Sequence, residues 1–102
     1  MATSAEWHED YAKMSEASRN FSRAIKSVQE ELEAVDWYNQ RAEQTTDLQL
    51  RKILEHNRDE EIEHAMMALE WLRRSNPVFD EHMKTYLFTE GDILEIEEAA
   101  TE

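Results

Sequence analysis

Glu31, Glu61 and His64 are the residues of this 102-residue chain whose types and settings point most directly to chemistry. Two carboxylates and an imidazole supply oxygen and nitrogen donors suited to a first-row metal such as iron or manganese. Glu61 and His64 are three residues apart, so a helix presents them on one face. The Glu-x-x-His pattern alone says little, because a chain with 18 Glu and four His yields chance matches readily. Their setting is more informative.

On a helical wheel at about 100° per residue, an arc of roughly 120° holds Leu50, Ile53, Leu54, Asn57, Glu61, His64, Ala65, Ala68 and Leu72. Asn57, Glu61 and His64 interrupt this apolar stripe at its middle, and Asn57 is a candidate for orienting the other two. A second arc, of roughly 140°, holds Met14, Ala17, Phe21, Ala24, Ile25, Val28, Glu31, Leu32, Val35, Tyr38, Asn39 and Ala42. Glu31 is its single charged residue. A carboxylate buried without a partner costs several kcal/mol or becomes neutral, so something must compensate it. Two readings follow: a metal, or a polar cluster satisfied within a helical core.

The elements that carry these residues can be read directly. From about Tyr11 to Gln44 no Gly or Pro intervenes, and Phe21, Ile25, Val28, Leu32 and Val35 recur at helical spacing. Thr46, with Gln49 three residues later, reads as the cap of a second helix over about 47–74. Arg73 and Arg74 suit its C-terminal end. Asn76 and Pro77 open a short third helix over about 77–88. Residues 89–102 read as a flexible acidic tail. The fold class is thus all-α: a two-helix antiparallel hairpin with a short C-terminal helix, in one domain. With a turn near residue 45, Glu31 lies 14 residues before it and Glu61 16 after it, at nearly one level. Two helices do not enclose a core, and a second copy completes a four-helix bundle. Bundles that bind two metals take a lone Glu from two helices and Glu-x-x-His from the other two. This chain holds half of that set.

Composition sets the outer bounds. Eleven Lys and Arg against 24 Asp and Glu give a net charge of −13, which disfavours nucleic acid and attracts cations. With no cysteine there are no disulfides, thiolate metal sites or thiol catalysis. One Gly and one Pro argue against hairpins and phosphate loops. No apolar run approaches the roughly 18–20 residues that span a bilayer, and Met1 to Glu6 show no secretory signal.

Three further sets carry potential function. Glu30 and Glu33, near Trp37, form an acidic cluster that either relays cations or is simply a solvated face. His56, Glu60 and Glu63 step by four and three and either hold a weak surface metal or do nothing specific. Tyr38, beside Glu31, either assists the site by hydrogen bonding or electron transfer, or is a core residue.

The stretches Glu30-Glu31-Leu32-Glu33-Ala34-Val35-Asp36-Trp37-Tyr38, His56-Asn57-Arg58-Asp59-Glu60-Glu61, Glu63-His64-Ala65 and Thr85-Tyr86-Leu87-Phe88-Thr89-Glu90-Gly91 resemble the encapsulated ferritins, ferritin-like cargo proteins of encapsulin nanocompartments. The resemblance implies a ferritin-like four-helix bundle built from two chains, with dimers in a ring of five. It implies a ferroxidase that oxidises Fe(II) to Fe(III) with O₂ at a di-iron centre shared across the dimer interface, with Glu31, Glu61 and His64 as ligands and Tyr38 close by. Glu30 and Glu33, near Trp37, would form the site where metal enters, open to calcium or another divalent cation. His56, Glu60 and Glu63 would form a weak outer site. The implied setting is cytoplasmic, inside an encapsulin shell, for iron storage and detoxification. The chain departs from the family in ending Glu98-Ala99-Ala100-Thr101-Glu102, where no shell-docking peptide is visible. The readings that compete are another di-metal oxidase or peroxidase on the same scaffold and a non-catalytic dimeric helical module.

Overall fold

The computed structural model describes residues 7–101, and the expectation about Met1 to Glu6 lies outside them. The described chain is all-helical. A 3₁₀ turn at Tyr11–Lys13 precedes α1 (Glu16–Gln44), α2 (Leu48–Ser75), α3 (Pro77–Tyr86) and α4 (Ile93–Thr101).

Each boundary has a local cause. Ser15 Oγ accepts the Ser18 N–H, so α1 starts there and not at Tyr11. Tyr11 and its turn are held to α1 by Arg19, which donates to the Tyr11 carbonyl and stacks on its ring 4.3 Å from the centroid. The cap of α2 is Asp47, whose Oδ1 accepts the Leu50 N–H at 2.9 Å, and not Thr46. A carboxylate at that position also complements the helix dipole. Arg51 closes the turn by donating to the carbonyls of Ala42 and Thr45 at 3.0 and 3.2 Å. Asn76 Oδ1 accepts from Val78 and Phe79, with Pro77 at the first helical position of α3. The segment read as a tail contains α4, capped by Asp92, whose Oδ1 accepts from Leu94 and Glu95.

α1 and α2 pack antiparallel along their length, α3 packs on α2, and the Phe79 ring meets Phe21 of α1 edge-on at 6.0 Å. Among the described residues the fully buried apolar side chains are Ala42, Ala65 and Leu72. The radius of gyration is 17.7 Å, against about 13 Å for a compact domain of this size. Met66, Met67 and Trp71 are 50%, 59% and 43% exposed. The hairpin uses one edge of each apolar stripe and leaves the rest open.

A polar network fixes α3 against α2. Arg73 donates to Glu70 at 2.7 Å and to Asp80 at 2.6 Å, Arg74 also bonds Glu70, and Lys84 bonds Asp80. Arg73, then Arg74, pull the Glu70 carboxyl down to about 2. Lys84 and Arg73 lower Asp80.

Two outcomes are expected. Leu72→Ala, at 1% exposure, costs about 2–5 kcal/mol of stability by chemical denaturation. Because the Glu70 and Asp80 carboxyls titrate below their ordinary values when folded, their contribution is full above about pH 4.5 and is lost as pH falls toward about 2. Circular dichroism of wild type in an acid titration should therefore fall more steeply over that window than that of Glu70→Gln.

Candidate metal centre

Cross-helix bonds set the register that positions the site. Arg51 of α2 reaches Ala42 of α1, and further along Arg58 Nη1 donates to Asn39 Oδ1 at 3.0 Å. Carried along the antiparallel helices, these two ties put Glu31 level with the stretch of α2 from Ile62 to Met66, which includes His64. The half-buried Arg58 side chain ties the helices together, which helix spacing alone does not reveal.

Glu31 is half-buried, and its Oε2 atom is enclosed with no hydrogen-bond partner, Tyr38 included. An enclosed, unpaired carboxylate oxygen is an acceptor waiting for a cation or donor. On α2, both nitrogens of His64 face carboxylates: Nδ1 lies 3.8 Å from Glu61 Oε2, and Nε2 lies 3.9 Å from Glu60 Oε2. These separations exceed hydrogen-bond length. His64 is 42% exposed and Glu61 27%, so both remain reachable. Two carboxylates and an imidazole in one register fit an oxygen- and nitrogen-coordinated metal ion.

One chain does not complete such a site. Among the described residues no group of three His, Asp or Glu converges tightly enough to hold a metal. The opening lies on the face of α2 that carries Leu50, Ile53, Met67 and Trp71, exposed by 44%, 48%, 59% and 43%. Next to it, Asn20, Arg23, Ala24, Ser27, Ala68 and Trp71 line a hollow of about 410 Å³ between α1 and α2.

The other sequence-derived sets fall as follows. Glu30 and Glu33 are exposed with Trp37, which is 49% exposed, on the far side of α1 from Ala42. His56 Nε2 lies 3.5 Å from Glu60 Oε1. Glu60 thus stands between His56 and His64, beside the central set; Glu63 is exposed and joins neither contact. Tyr38 is half-buried, with the Arg41 guanidinium over its ring at 5.5 Å. Asn57 is half-buried beside the site.

The orphaned oxygen has a measurable cost. Glu31→Met is expected to stabilise the metal-free protein by about 1–3 kcal/mol, the range for an unpaired buried polar group. Denaturation in the presence of a chelator measures this, and unchanged or lower stability would show that the oxygen is satisfied.

Comparison with known proteins identifies the family. Residues 6–90 match the EncFtn-like family model. The chain is 58% identical over 94 residues to an encapsulated ferritin-like protein of Rhodospirillum rubrum, covering 92% of this chain and 67% of that one. It is 56% identical over 93 residues to a ferritin-like protein of Thermotoga maritima, covering 91% and 82%. The fold matches the crystal structure of protein ne0167 from Nitrosomonas europaea with a TM-score of 0.83 and 53% identity, over 85% of this chain and 96% of that one. An all-helical hairpin that holds an unpaired glutamate level with a Glu-x-x-His turn, and that matches this family over most of its length, belongs to the EncFtn-like, encapsulated ferritin-like family.

Proposed function

We propose that two copies of this chain form a ferroxidase that oxidises Fe(II) with O₂. Family membership supports a ferritin-like, iron-handling role. The observation that carries the specific reading is the enclosed, unpaired Glu31 Oε2, on the helix packed against the one that carries Glu61 and His64. One chain offers two carboxylates and one imidazole. A two-fold axis against the open face doubles this to four carboxylates and two imidazoles, the donor set of a two-iron carboxylate bundle. The exposed Leu50, Ile53, Met67 and Trp71 on that face supply the apolar area for association.

Iron is the substrate. Each Fe(II) gives up one electron, and two held together can deliver two electrons to one O₂, which takes up two protons to reach the level of hydrogen peroxide. Carboxylates favour the Fe(III) product by charge and balance the cations in a partly enclosed site. His64 binds as neutral imidazole through one nitrogen, while a carboxylate or water accepts from the other and fixes the ring; Glu60 stands on that side. Tyr38 lies close enough in helical phase to steady the Glu31 carboxylate once iron has drawn it into place.

Glu30 and Glu33, with Trp37, gather Fe(II) or other divalent cations such as calcium at the surface of a chain whose net charge is −13. His56, Glu60 and Glu63 form an outer site of lower affinity. The name of the Rhodospirillum rubrum relative extends to this chain as association with an encapsulin shell, which would receive the Fe(III) that a dimer or ring of five dimers has no cavity to store.

Anaerobic Fe(II) titration followed by air tests the reading. Saturation near one iron per chain is expected, with oxidation faster than in protein-free buffer. Glu61→Ala or His64→Ala should slow oxidation by about 10–100-fold or more, and a wild-type rate in either variant would overturn the ligand assignment. Fe(II) should also shift sizing profiles toward the dimer, because a ligand that needs two chains favours their association.

A further inference from the structure

We propose that α4 of one chain docks in the groove between α2 and α3 of a second copy, through an interface separate from the iron face. The groove has a volume of about 490 Å³. Met66 and Leu69 of α2 and Met83 and Leu87 at the end of α3 make its apolar floor, with Arg73, Lys84 and Glu70 on its rim. No α4 residue lines it.

α4 has the matching features. It spans nine residues, Ile93–Thr101, fewer than the roughly 12–15 at which an isolated helix becomes even marginal in water. Its acids Glu97 and Glu98 sit in its C-terminal half, with no basic residue in the last turn, so the dipole works against them. Such a helix depends on packing. Within its own chain α4 packs mainly on α3, and Ile93 and Leu94 stay 66% and 70% exposed. The connection is locally specified: Phe88, fully exposed, holds φ +61°, seldom adopted by a bulky residue, and Gly91 holds φ +94°. The same chain thus carries an open apolar groove and an unfilled apolar helix edge.

Charge selects between them. Around the groove Arg73, Arg74 and Lys84 outnumber Glu70 and Asp80, a local positive excess in a chain of net −13. α4 brings Glu95, Glu97 and Glu98. An acidic helix with an Ile and Leu edge meets an apolar groove with a basic rim, and complementarity of this kind sets partner and orientation. A second copy supplies that helix at the concentration of the protein itself.

The lack of cysteine in the sequence makes the test clean. Full-length Leu94→Cys protein is mixed with isotope-labelled Met66→Cys or Met83→Cys protein and oxidised mildly, in chelator to keep the iron site out of play. Disulfides join only sites whose Cα atoms come within about 7 Å. The expected result is a mixed disulfide between chains, with at least one groove variant, above the half share that random pairing gives. Cross-linking confined to single chains of a Leu94→Cys, Met66→Cys double variant, or no excess with either groove variant, would overturn the proposal. Leu94→Glu at this exposed position gives an independent reading. It should remove the largest species in a sizing profile while Fe(II) oxidation persists, and an unchanged profile would count against α4 exchange.

Discussion

A two-helix hairpin has one internal interface, and most of this molecule follows from that constraint. Each helix can bury only the edge turned to its neighbour, here marked by Ala42 on α1 and by Ala65 and Leu72 on α2. The apolar stripes are broader than that edge. A helix of a globular domain buries an apolar face at least about 100° wide, and the uncovered remainder of each stripe faces outward. The long radius of gyration and the exposed Trp71, Met67 and Ile53 are the same fact seen at two scales.

The polar residues of the site sit at the border between the covered and uncovered parts. Glu31 is close enough to the hairpin seam for one oxygen to be enclosed, and Glu61 and His64 face the opening. In a closed core such a glutamate would be a liability, because desolvation of an unpaired carboxylate is costly. At the lip of an unfinished bundle it is what the proposed function would need as half of a coordination site. Rigidity around the site comes from elsewhere: Arg51 closes the turn, Arg58 ties α2 to Asn39, and the Arg73 network holds α3.

Much of this was legible in the residues. Helical periodicity without Gly or Pro gives the two long helices, and Asn76-Pro77 gives the start of the third. The break of both stripes by Glu31, Glu61 and His64 marks the candidate site, because a charged residue in an apolar arc needs a reason. Other features were not legible, each for a physical cause. Thr46 and Asp47 are both good caps, and the backbone path through the turn chose Asp47. Met66, Met67 and Trp71 look like core by composition, yet periodicity does not say which neighbour covers them. Arg58 reads as surface because its partner is 19 residues away on another helix. Residues 93–101 carry acids that suggest a tail, while the Asp92 cap and the Ile and Leu edge make a helix.

The sequence by itself determined the helical class, the hairpin and the family, because these depend on local spacing and residue type. Tertiary structure decided which edge of each stripe is covered, which carboxylate oxygen is orphaned, and that Glu60 stands between His56 and His64. These depend on the rotation of one helix about its axis against the other, set by contacts between residues far apart in the chain. A turn of a few tens of degrees carries a side chain from the seam to the open face without changing the periodicity that sequence displays.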